Sequence, residues 1–262
     1  MLVADVMTHG LVTCPPGTPL GEAAALLVWR RVHAVVVAED DGVPLGVLSD
    51  ADLLAGEWLA ADEQRLATLR AMTAGELMTA PVETIAIGAE VAEAARRLRA
   101  AHLSRLVVED EGGAVGVVSV SDLVRSIVPG DVRRATVADV MTRGFVACRD
   151  DTPARAVARL MTERSSRSVL VLGHGGRATG VVTGHDLLPL VEDGVERTAG
   201  ELMSPPLTVA PGASLADAAD ALVRNEVHRL VVVADGEGGT PLGILSTWDL
   251  LAEMAAPGSV WR

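Results

Sequence analysis

With 262 residues, 49% of them hydrophobic and 22% charged, the chain has the make-up of a soluble globular protein and is long enough for two domains. A formal net charge of −13 argues against nucleic acid and anionic membrane as partners, since both demand a basic footprint. There is no run of eighteen apolar residues and no basic leader, and two cysteines make no disulfide framework, so a cytoplasmic setting is expected.

Aromatic residues are scarce (one Phe, four Trp, no Tyr), so the core must be built from Val, Leu, Ala and Ile, which suits small repeated units. All 22 basic residues are Arg, so a side chain that holds an anion here is Arg or His.

The elements recur in chain order. Repeat one opens with "VADVMT" at Val3, and a short strand "LVTC" follows. A helix is then marked by Thr18-Pro19, and a Val-rich strand "AVVVA" and polar turn "EDDG" come next. A last strand and short helix carry "GVLSDADLL" from Gly46. The insertion "GEWLAADEQRLATLRAM" reads as a helical connector. Repeat two opens with "AGELMT" at Ala74, has "VETI", and then a helix with Ala94, Leu98 and Ala101 at helical spacing. It continues through "RLVVE" and "DEGG" to "GVVSVSDLV" from Gly116. Repeat three opens with "VADVMT" at Val137 and runs through "FVAC", Thr152-Pro153 and "SVLVL" to "GVVTGHDLL" from Gly180. Repeat four opens with "AGELMS" at Ala199 and runs through "LTVA", Ser214-x-x-Asp217 and "RLVVVA" to "GILSTWDLL" from Gly243. Each repeat is thus β-α-β-β-α.

A second level is nested in the first. Repeats one and three share "VADVMT" and carry Cys14 and Cys148 seven residues after the opening methionine. Repeats two and four share "TAGELM" and have Ile85 and Ala210 there. The duplicated object was therefore a tandem pair. This predicts two domains, 1–130 (repeats at about 1–58 and 73–128) and 131–262 (about 136–192 and 198–254), divided near Val128–Ala135. Each should be soluble and folded alone, whereas a single repeat of about sixty residues buries too little.

The repeated β-α-β-β-α unit, the "DVMT"-type opening and the Gly-x-x-[Ser/Thr]-x-x-Asp-Leu ending resemble the cystathionine-β-synthase (CBS) domain, in four copies covering nearly the whole chain. The resemblance implies an α+β fold with two pseudo-twofold CBS pairs. It also implies a regulatory binder of an adenosine-containing ligand, either an adenine nucleotide (AMP, ADP, ATP) or S-adenosylmethionine, rather than an enzyme.

Physical chemistry offers a reason. A hydroxyl at a strand end lies beside the first free N–H groups of a helix, and an Asp three residues on shares nearly the same face and can accept ribose hydroxyls. In the family this Asp has that role, which carries over to Asp52, Asp122, Asp186 and Asp249, with the hydroxyl at Ser49, Ser119, Thr183 and Ser246. The same spacing equally describes a helix cap, worth about 0.5–2 kcal/mol without any ligand, and four copies do not separate the two readings. At the start of the Val-rich strands the family often places phosphate-contacting basic residues. "LSRL", "SSRS" and "VHRL" put Arg105, Arg167 and Arg229 there, whereas "VHAV" has Ala34. His33 and His228 in the same windows complete the candidate set. For each arginine a snorkelling side chain is the alternative.

The six histidines show no metal-ligand spacing, so no metal site is expected. The opening methionines and the two cysteines read as core, and Trp248 as packing against it. No phosphate loop or nucleophile–base set is visible. The expected protein is a sensor that binds an adenosine ligand in clefts between repeats and acts in trans on an unknown partner protein, with self-association into a homodimer as one output. A ligand-free interaction scaffold is the alternative.

Overall fold

The computed structural model describes residues 1–54, 68, 71–126, 136–234 and 239–255. Most of the predicted connector and the predicted domain boundary lie outside the described residues.

All four repeats form the expected order of elements. In repeat one, Thr13–Cys14 runs parallel to Ala34–Ala38, which pairs antiparallel with Pro44–Ser49, and the helix Leu20–Arg30 connects the parallel strands. The equivalent hairpins are Arg105–Asp110 with Gly113–Ser119, Ser168–Leu172 with Ala178–Thr183, and Arg229–Val233 with Pro241–Ser246. Each hairpin has a register shift at the same place: Val37/Ala38, Val108/Glu109, Val171/Leu172 and Val232/Val233. After each long helix one residue adopts a left-handed conformation, and none of the four is glycine: Arg31, His102, Ser165 and Glu226. Ala101, read as part of the apolar stripe of repeat two, falls just past the helix Val91–Ala100 and is exposed.

The chain divides into two compact units that do not follow the tandem boundary near 130. One, the even unit, comprises Met1–Gly10, Glu83–Phe145 and Pro206–Arg262, and therefore holds repeats two and four. The other, the odd unit, comprises Leu11–Val82 and Val146–Pro205, and holds repeats one and three. The reason lies in the helices. Their small apolar residues recur every three to four positions, so a repeat presents a stripe that only another repeat's helices can cover. In the even unit Ala94, Leu98 and Leu123 share one core with Ala218, Leu222 and Leu251. In the odd unit Ala23, Leu27 and Leu53 share one with Val157, Ala158 and Leu187.

The openings are exchanged between tandem siblings. Repeat one's Thr8–His9 pairs with Gly113–Ser119 of repeat two, and repeat two's Thr79 bridges Val47 of repeat one. Likewise Thr142–Arg143 pairs with Pro241–Ser246, and Ser204 bridges Val181. This explains the glycine of the ending motif. A Cβ on Gly46 would come within 2.7 Å of Met78 Sδ and the Thr79 carbonyl, and one on Gly116, Gly180 or Gly243 would overlap the sibling's Met7 and Thr8, Met203, or Thr142. The glycine is there to let the opening lie against the strand. Met7 and Met141 are buried, and Met78 and Met203 pack on the odd core, as expected of core residues.

Candidate functional site

Each ending motif turns a strand into a helix, and the Ser/Thr and Asp close on each other there. Ser49 donates through its backbone N–H (2.7 Å) and its hydroxyl (2.6 Å) to Asp52 Oδ2. Ser119 does the same to Asp122 (2.8 and 2.6 Å), Thr183 to Asp186 (2.7 and 2.7 Å) and Ser246 to Asp249 (2.7 and 2.6 Å). In repeats one, two and four the Asp N–H donates back to the hydroxyl at 3.3–3.4 Å, which completes a capping box. The capping reading therefore holds for these carboxylates. It occupies only one of their oxygens: Oδ1 of Asp52 accepts from the Thr79 hydroxyl at 3.1 Å, and Oδ1 of Asp249 from that of Thr142 at 3.2 Å. These donors come from the exchanged openings. Asp122 is buried, and its Oδ1 takes an ion pair from Arg125 at 3.1 Å.

A carboxylate can accept at about four lone-pair sites, so capping and ligand binding do not exclude each other. What changes is the geometry. With Oδ2 committed to the box, ribose hydroxyls are left to Oδ1, which in Asp52 and Asp249 already accepts a hydroxyl and in Asp122 already accepts from Arg125.

The basic residues need a correction. Strand register pairs Arg105 with Ser119 and Arg229 with Ser246, which puts each arginine on the same sheet face as the motif hydroxyl. In repeat three the residue opposite Thr183 is Ser168, and in repeat one the residue opposite Ser49 is Ala34. Arg167 does not match Arg105 and Arg229. It stands one residue earlier, in line with His33, Ser104 and His228. Counting from the left-handed residue that ends each helix gives the same alignment: Ser165, Ser166, Arg167, Ser168 against Glu226, Val227, His228, Arg229. Both aligned arginines thus belong to the even unit.

The line that holds Arg167 also holds the two histidines. His228 Nδ1 lies 3.0 Å from the hydroxyl of Ser121, two residues after the motif serine of repeat two. His33 meets the equivalent residue of repeat three, His185, with ring centroids 4.8 Å apart. His33 Nδ1 is also 2.9 Å from Asp50 Oδ2. Among the described residues, ligand atoms of His33, Asp50 and His185 all lie within 4.8 Å of one another, a set able to hold a metal ion that the histidine spacing along the chain does not reveal. Its members come from three strand ends in two different repeats, so no spacing rule detects them. Burial, then the charge of His33, lowers the His185 pKa below its ordinary value of 6.5.

The remaining candidates behave as core. Burial raises both the Cys14 and Cys148 thiols above their usual value, which suits inert thiols rather than a redox pair. Trp248 is half-buried and packs on the even core. No helix among the described residues is long and apolar enough to cross a membrane.

The CBS domain family matches residues 3–57, 74–129, 137–193 and 199–256. Among solved structures, protein MJ1225 from Methanocaldococcus jannaschii superposes with a TM-score of 0.81 at 19% identity, covering 96% of this chain and 99% of that one. The magnesium transporter MgtE of Thermus thermophilus is 33% identical over half of this chain and 30% of its own length. CBSX2 of Arabidopsis thaliana, solved in complex with AMP, is 31% identical over 48% of this chain and 94% of its own, with a TM-score of 0.41. The chain spans about a third of the length of two of the curated relatives it matches. It belongs to the CBS-domain family, with four CBS units forming two pairs.

Proposed function

We propose that this chain is a regulatory sensor of adenosine-containing ligands that binds them at its Ser/Thr–Asp motifs, converts none of them, and passes the signal in trans to a partner protein. The observation that supports it most is in the even unit, where an arginine stands directly across the strand pair from the motif serine in both repeats. A carboxylate oxygen that already accepts a hydroxyl, next to a helix start and a guanidinium, suits a ribose bearing a phosphate. Phosphorylated ligands (AMP, ADP or ATP) are therefore the class assigned to the even unit.

A second reading has an observation of its own. The boxes are hydrogen-bonded without any ligand, as in a pure interaction scaffold. A thermal-shift panel of AMP, ADP, ATP, S-adenosylmethionine, NADH and cyclic di-AMP separates the two. A true ligand at a hundred times its dissociation constant adds about 2.7 kcal/mol. Asp249→Ala should abolish the response at its site while lowering stability by no more than a lost cap, about 0.5–2 kcal/mol. No shift with any ligand would leave the scaffold.

A further inference from the structure

We propose that His33, Asp50 and His185 form a binding site for one divalent transition-metal cation of the zinc, cobalt and nickel type. The donors converge at one point of the odd unit. Asp50 is the first residue of the helix Asp50–Leu54, and its backbone N–H donates to the His33 carbonyl at 3.1 Å, which fixes the two side chains side by side. His185 opens the short 3-10 turn His185–Leu187 that follows the motif threonine of repeat three. Its Nδ1 is buried and has no hydrogen-bond partner among the described residues.

A buried ring nitrogen without a partner is costly, and a metal ion is one group that relieves it. Two imidazoles and a carboxylate make a borderline donor set. That set suits zinc, cobalt and nickel, whereas magnesium and calcium seek all-oxygen surroundings. Ligands on one tetrahedral zinc lie roughly 3.3 Å apart, given metal–ligand distances of about 2.0–2.2 Å. The 2.9 Å His33–Asp50 pair is close to that already, and the widest pair, at up to 4.8 Å, has to close by roughly an ångström and a half. Side-chain rotation at half-buried positions supplies that movement. Three protein donors leave a fourth position for water.

The even unit supplies the contrast. His228 stands where His33 stands, but its neighbours are the Ser121 hydroxyl in place of His185 and Thr247 in place of Asp50. Among the described residues, the even unit has no equivalent group of three metal-capable donors. A bound ion would join repeat one, through His33 and Asp50, to repeat three, through His185. It would therefore clip together the interface at which Leu20–Arg30 meets Leu188–Asp193.

The experiment is a calorimetric titration of the full chain, stripped with a chelator, using zinc and, separately, magnesium. The proposal expects one zinc per chain and no saturable magnesium response. His185→Ala and the near-isosteric Asp50→Asn should each weaken zinc at least tenfold, and His185→Cys should retain it. Cys14→Ser and Cys148→Ser should leave it unchanged, which separates this site from the thiols. Circular dichroism of the metal-free variants checks the fold, and Asp50→Asn carries the test if an alanine variant does not fold. Zinc binding that survives both His185→Ala and Asp50→Asn, or zinc bound no more tightly than magnesium, would overturn the proposal.

Discussion

The even and odd units are built alike and equipped differently. Each pools one core from two repeats that are not neighbours in the chain, and each takes in two openings from the tandem siblings. The difference lies at a few strand-end positions. The even unit carries Arg105 and Arg229 across from its motif serines, with the Ser121 hydroxyl on His228. The odd unit carries Ala34 and Ser168 there and gathers His33, His185 and Asp50. The repeated scaffold fixes where a side chain will stand. Its chemistry is set residue by residue, so duplicated sites can take different ligands.

The largest effect should come from cutting the chain at residue 130. Each half keeps one repeat of the even unit and one of the odd, so every repeat loses the helices that cover its stripe. Baring residues such as Leu98, Leu123, Leu222 and Leu251 forfeits about 1.5–3 kcal/mol for each, which together reaches the whole stability of a typical domain. The nested duplication alone suggests two independent halves. The pooled cores add a condition: residues 1–130 should fold only by pairing, with a second copy or with 131–262. Light scattering on the isolated half should give a dimer. A folded, stable monomer would show that the pooled cores are dispensable.

A smaller effect tests the chemical difference. Arg229→Ala should weaken AMP by about ten- to a hundredfold, the range of about 1.5–3 kcal/mol for a hydrogen bond to a charged group, and should leave adenosine nearly unaffected. The reverse swap, Ser168→Arg in the odd unit, should raise AMP affinity there. Calorimetry showing equal losses for AMP and adenosine in Arg229→Ala would make the arginine a support of the fold.

Much of this was legible in the sequence, and the failures have a common cause. The repeats, the order of elements and the Ser-x-x-Asp boxes depend on contacts within a few residues, where periodicity and capping rules apply. The exchanged openings were not legible, because Thr79 would make the same ladder bonds with its own repeat as with its sibling. Nor was the pooling of repeats two and four: an apolar stripe says that it must be covered, not by what. The offset of Arg167 by one residue is not legible either, because the helix stops at Glu163 and the left-handed residue that follows, Ser165, is not a glycine that would mark the spot. The His33–Asp50–His185 cluster is purely tertiary.

The smallest effect separates the units in acid. Both openings within the odd unit are capped by a threonine–glutamate box, Thr73 with Glu76 and Thr198 with Glu201. In the even unit Thr136 pairs with Asp139, while the repeat-one opening has Leu2 at the cap, whose N–H alone reaches Asp5, at 2.8 Å. The threonine N–H and hydroxyl lower the Glu76 and Glu201 pKa values below their usual 4.5, and that of Asp139 below 3.8. A carboxylate with a depressed folded pKa stabilises the fold fully above its unfolded value and loses that contribution as pH falls through the folded one. Because glutamate protonates at higher pH than aspartate, the odd unit's openings should loosen first on acidification, beginning just below pH 4.5. All three carboxylates are fully exposed, so the change will be slight and salt-sensitive. Hydrogen exchange resolved by segment should show the amides around Thr73 and Thr198 losing protection before those around Thr136, and Glu76→Gln should flatten the acid limb for its own opening only. Simultaneous loss at all three openings would mean that the pooled cores, and not the boxes, hold the exchanged segments in place.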